Sequence, residues 1–135
     1  MDAVIPTAAQ APPPAKRGHM ANVFSKTCPS RKVLETLAEK WALMLMHILA
    51  DGPRRTSQLR RAIEGVSEKM LIQTLRRLER NGFVARRAFN EVPPRVEYSL
   101  TPLGRSLADT IRPLDFWVEK NLAEVMQAQA AFDAR

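Results

Sequence analysis

The sequence predicts a mainly α-helical fold with one small β-hairpin toward its C-terminal third, and three observations predict it. Apolar residues recur at helical spacing between Val33 and Leu78 and again beyond Thr101. Between Phe83 and Leu100 the pattern changes to two strand-like runs. Breakers fall at the joints, at Asp51-Gly52-Pro53, Gly65, Gly82 and Pro93-Pro94.

Residues 1–24 are rich in Ala and Pro and have no hydrophobic period, so they read as a disordered tail ahead of a folded domain at 25–135. Met20 as the true start and Gly18-His19-Met20 as a cloning remnant both stay open. Ser30 is expected to cap a short helix carrying Val33, Leu34 and Leu37. Trp41 to Ala50 is apolar nearly all round, the mark of a buried helix, and His47 within it reads as a core histidine with a backbone partner. Thr56 is the expected N-cap of a helix from Ser57 to about Ile63, closed by Gly65. Ser67 caps the next, from Glu68 to Asn81, and Gly82 ends it. Two helices joined by a short glycine-containing turn form a helix-turn-helix. The runs Phe83–Phe89 and Val96–Leu100 make a two-stranded hairpin, so the expected fold is a winged helix-turn-helix. Thr101 and Pro102 open a last helix, with a break or kink expected at Pro113. Its apolar residues exceed what one small core requires.

Charge is unevenly spread. The chain carries a net +7, and residues 53–95 hold eleven Lys or Arg against four Glu, while the remainder has ten of each sign. A basic excess gathered in one third of the chain points to a polyanionic partner. The single cysteine, Cys28, rules out an intrachain disulfide, and with two histidines a Cys/His metal site is not expected. No apolar run reaches the roughly 18 residues needed to span a bilayer. The chain reads as soluble and cytoplasmic, with neither membrane nor cofactor. Without a nucleophile–base pair, metal spacing or phosphate-binding glycine loop, it does not read as an enzyme.

On the helix after Ser67, 100° steps gather Met70, Leu71, Thr74, Leu75 and Leu78 toward a core. Lys69, Gln73, Arg76 and Arg80 fall on the opposite side, with Arg77 and Glu68 on the flanks. The major groove admits an α-helix, and Arg, Lys and Gln read its base edges. Ser67 and the first-turn amides suit a phosphate. Arg86, Arg87 and Arg95 on the hairpin, with Arg54 and Arg55 before the motif, are expected to position the protein on the backbone or in the minor groove. A merely solvated basic face is the alternative for the helix, and an ion pair between Arg95 and Glu97 the alternative for the hairpin. An acidic protein partner or RNA stays open beside double-stranded DNA.

Cys28-Pro29, Lys40-Trp41, Leu59-Arg60-Arg61, Ser67 with Lys69-Met70-Leu71, Leu75-Arg76-Arg77-Leu78-Glu79 and Pro94-Arg95-Val96-Glu97-Tyr98-Ser99-Leu100-Thr101 with Gly104 together resemble the HxlR family over roughly residues 28–120. That family is similar to MarR regulators, dimeric winged helix-turn-helix proteins that repress or activate transcription. The resemblance implies a homodimer formed through the N- and C-terminal helices, reading a pseudo-palindromic operator in successive major grooves. Thr56 departs from the family's usual aromatic residue, and Gln58 from its usual acid. The resemblance also implies a redox or electrophile sensor at Cys28, which lies just before a helix start near Lys26, Arg31 and Lys32. An inert packed thiol is the alternative. No residue pattern identifies a small-molecule effector site.

Overall fold

The computed structural model describes residues 22–135; of the tail expected at 1–24, residues 1–21 lie outside them. The chain divides into two compact units, one ending at Ala38 and one running from Glu39 to Arg135. In the first, turns lead into α1 (Pro29–Leu37), with Cys28 as N-cap and Pro29 in the first turn. Proline needs no hydrogen-bond acceptor there, so the helix starts one residue ahead of the expected cap, Ser30. Arg31 holds the unit together, donating from Nη1 to the Phe24 carbonyl at 2.9 Å and pairing through Nε with Glu35 at 3.0 Å.

The second unit runs α2 (Ala42–Leu49), β1 (Arg54–Arg55), α3 (Thr56–Ala62), α4 (Glu68–Arg80), β2 (Val84–Phe89), β3 (Arg95–Leu100) and α5 (Pro102–Asp133). α2 is not buried all round. Ala42, Leu45, Met46 and Leu49, the i, i+3, i+4, i+7 stripe, are buried, while Met44 and His47 are exposed. His47 is therefore no core histidine: its side chain is 65% exposed, and Nδ1 lies 2.8 Å from Oδ2 of Asp115. Apolar neighbours in sequence placed it on the wrong side of an amphipathic helix.

α3 begins at Thr56 itself, with Arg55 as N-cap, and the side-chain Oε1 of Gln58 accepts from the Arg55 N–H at 2.8 Å. The side chain three residues into the helix thus satisfies the N-cap amide, the work expected of Thr56 at the opposite end. At Ser67 the expectation holds, its Oγ accepting from Met70 N–H at 3.1 Å. Gly82, at φ +81°, turns the chain from α4 toward β2.

The hairpin carries a third strand. β1 pairs antiparallel with β3, and β3 with β2, giving the order β1-β3-β2. Two rows cross this sheet in register, Arg54–Tyr98–Arg86 and Arg55–Glu97–Arg87, and adjacent rows point to opposite faces.

The Thr101 hydroxyl accepts from Gly104 N–H at 2.9 Å and donates to the Gly82 carbonyl, joining the last helix to the turn after α4. A Cβ at Gly104 would overlap the Phe83 carbonyl, so only glycine fits. α5 runs unbroken through Pro113. The ring removes one hydrogen bond, at about 3 kcal/mol, yet intact turns on both sides keep the helix continuous. Two further contacts fasten α5 to α2: the His47–Asp115 pair, and Arg105 donating to the Ala50 carbonyl at 2.8 Å.

The core gathers Leu45, Met46 and Leu49 of α2, Leu59 of α3, Leu71, Leu75 and Leu78 of α4, Val84 of β2 and Tyr98 of β3. Each such aliphatic side chain contributes about 1.5–3 kcal/mol on burial. Thr74, buried among them, is satisfied by donating to the Met70 carbonyl at 2.9 Å.

Candidate nucleic-acid interface

The core orients α4. Because Leu71, Thr74, Leu75 and Leu78 are buried, the other side of the helix must face solvent, and Lys69, Arg76 and Arg80 do so, with Gln73 half-buried beside them. Met70 differs from expectation: at 38% exposed it lies in the first turn, where the apolar stripe passes the edge of the core. Glu68, in the same turn, pairs with Arg60 of α3 at 3.2 Å, a contact between the two motif helices that sequence reasoning missed. Eight positions separate these residues, and no helical or strand period links them.

Not every expected reading residue stands equally clear. Arg77 is held by Glu39, Nη1 to Oε1 at 2.8 Å, although both side chains stay partly in water. Arg76, Arg77, Glu79 and Arg80 line one shallow surface hollow, so Arg77 sits within the basic patch. A second hollow, lined by Thr56, Ile72, Arg76, Glu79, Arg86, Val96 and Tyr98, brings Arg76 of α4 and Arg86 of the wing onto one surface with the start of α3.

The remaining basic residues separate by sheet face. Arg54 turns back on its own turn, donating from Nη1 to the carbonyls of Gly52 at 3.1 Å and Pro53 at 3.0 Å. Arg55 is exposed and lines a hollow with Thr56, Ser57, Pro93, Pro94 and Arg95. Arg87 belongs to the row opposite in facing to that of Arg86, and its guanidinium lies 4.6 Å from the Phe89 ring centre. Arg95 shares that ring at 3.9 Å and pairs with Glu91 at 3.2 Å rather than with Glu97. Its Nε is buried without a hydrogen-bond partner. Phe89 and Glu91 hold Arg95 as a strut inside the wing. Cys28 belongs to the first unit and is buried at the start of α1.

A helix-turn-helix whose second helix is basic on its outer side, followed by a hairpin wing, is the architecture of a family whose description matches residues 36–126, HxlR-like helix-turn-helix. The chain belongs to the HxlR-like helix-turn-helix family. It is a helix-turn-helix transcriptional regulator and not an enzyme. Over 105 residues it is 49% identical to the HTH-type transcriptional regulator YtfH of Escherichia coli, spanning 78% of this chain and 83% of that one. The solved structure of the transcriptional regulator ytfH from Salmonella typhimurium superposes with a TM-score of 0.76 at 46% identity, covering 81% of this chain and 97% of that one. The reduced form of the redox regulator HypR gives 0.67 at 35% identity, over 74% and 98% of the two chains. Among the described residues of this HxlR-like chain, no helix is long and apolar enough to cross a membrane.

Proposed function

We propose that the chain is a homodimeric, sequence-specific repressor that inserts α4 into the major groove of duplex DNA and lays its wing along the adjoining backbone. One observation carries this reading. Arg76 of α4, Arg86 of β2 and Thr56 at the start of α3 line a single surface hollow that Glu79 also borders, so three elements of the motif share one surface on which arginine outnumbers acid. Lys69, Gln73, Arg76 and Arg80 are assigned to base edges, and the capped N-terminus at Ser67 to a phosphate. Arg55 and Arg86 are assigned to backbone contacts. Arg54, Arg87 and Arg95, engaged by carbonyls or by Phe89, support the sheet more than they reach out.

The second copy follows from α5. Gly104, Ala108 and Ile111 are its buried residues, and the same stripe continues as exposed Leu114, Val118, Leu122, Val125 and Phe132. At 3.6 residues per turn these fall within roughly 80° of arc. An apolar stripe that outlasts its own core fits the corresponding stripe of a second chain, and a twofold dimer would set two α4 helices about 34–36 Å apart or a multiple of that.

Redox control is proposed at Cys28, supported by the likeness to HypR, a redox regulator solved in reduced and oxidised forms. Cys28 is 7% exposed, so the oxidant must reach a buried thiol. Mild peroxide should then yield a cross-linked dimer on non-reducing gels, absent in Cys28→Ser; no band and no change in DNA affinity would remove the sensor.

The test of the main reading is a fluorescence-anisotropy titration with duplex from the protein's own promoter against random duplex and RNA. Arg76→Ala should lose about 1–3 kcal/mol on the operator together with sequence preference. Unchanged affinity and preference would remove α4 from the interface, and equal binding to RNA would replace the operator reading. Deleting the gene should raise transcription of the bound promoter; a fall would make the protein an activator.

A further inference from the structure

We infer that Glu39 withholds Arg77 from DNA and thereby holds down the protein's sequence-blind affinity for duplex, an inference that rests on the duplex-binding reading above. Arg77 lies on the flank of α4 beside Arg76 and Arg80, in the same surface hollow. A guanidinium in that position has phosphates within reach but no base edge in front of it, so its contact would be blind to sequence. Glu39 occupies it instead at 2.8 Å.

Both partners are held from behind. The Glu39 carbonyl accepts from Ala42 N–H at 3.2 Å at the start of α2, whose next turns are buried. The Arg77 carbonyl accepts from both the backbone N–H and the side-chain amide of Asn81, at 3.1 and 2.8 Å, in the closing turn of α4. The carboxylate is thus presented from the turn before α2 to the flank of the reading helix.

The pairing acts twice on a duplex. It occupies a donor that would otherwise release a counterion from the phosphate backbone, and it places a negative charge beside the phosphates. Sequence-blind affinity falls, while Lys69, Gln73, Arg76 and Arg80 keep their access to base edges. Glu39 lowers backbone affinity through Arg77, equally for operator and random duplex.

The experiment measures binding of the full chain to a labelled random duplex and to the operator across a salt series, for Glu39→Gln, Arg77→Gln and the double variant. Glu39→Gln should bind random duplex about threefold tighter at low salt, with the slope of log K against log salt steeper by about 0.9, one added phosphate contact. Its operator affinity should rise by about the same factor, leaving the preference ratio unchanged. Arg77→Gln, which leaves the Glu39 carboxylate unpaired beside the phosphates, should bind random duplex more weakly than the wild type, and the double variant, with neither charge, should return to the wild type. Two results would overturn the inference: no gain in Glu39→Gln, or a gain over the wild type that survives in the double variant. Thermal melts followed by circular dichroism check that each variant is folded, and Glu39→Ala serves as a second route to the same release. If Arg76→Ala weakens duplex binding while Glu39→Gln leaves it unchanged, only this inference fails; if Arg76→Ala has no effect either, the duplex reading itself fails.

Discussion

The α4 helix and the C-terminal helix α5 use similar apolar residues to different ends. On α4 the stripe Leu71, Thr74, Leu75 and Leu78 is buried, and the opposite face is free to carry charge. On α5 burial stops after Ile111, although the stripe continues to Phe132. An amphipathic pattern therefore states that a face will be covered, not by what. α4 is covered by its own chain; α5, beyond its first three turns, is not.

Substitutions can break or sharpen this contrast. The largest effect belongs to the fully covered side: Leu75→Ala should cost about 2–5 kcal/mol in urea unfolding. A loss under 1 kcal/mol would mean that α4 is not seated as described. On the uncovered side, Leu122→Glu should weaken dimerisation by about 2 kcal/mol or more, if the stripe is the centre of the interface. Sedimentation equilibrium would read that as monomer at concentrations where the wild type is dimeric; an unchanged dimer would move the interface elsewhere. Arg86→Ala should lower affinity by about threefold at low salt, evenly across sequences, with the salt slope reduced by about 0.9. A change in preference among sequences would instead make Arg86 a base reader. The smallest effect falls on the joint between the two regions. His47→Ala removes a pair open to solvent and should cost a few tenths of a kcal/mol; a loss above 2 kcal/mol would show that this contact anchors α5.

What the sequence made legible was local. Ser67, Gly82, Thr101 and Pro102 mark helix ends because their hydrogen bonds and dihedral preferences involve residues at most a few positions away. The outward face of α4 could be read for the same reason, since helical periodicity fixes which residues share a side. Features made by distant residues were not legible. β1 is two residues long and exists only through its pairing with Glu97 and Tyr98. The pairs Arg77–Glu39 and His47–Asp115 join residues 38 and 68 positions apart. His47 was misplaced because composition shows how apolar a helix is and not which side lacks a neighbour. Arg95 was a candidate for two roles, DNA contact or a pair with Glu97; folding gave it Phe89 and Glu91.

Amide hydrogen exchange of the full chain with and without operator duplex tests most directly which surface meets DNA. Slowed exchange should concentrate in the first turns of α4 and in β2, with the exposed length of α5 unchanged by the duplex. Protection confined to α5 or to α1, with α4 exchanging as in the free protein, would contradict the assignment of α4 as the reading helix.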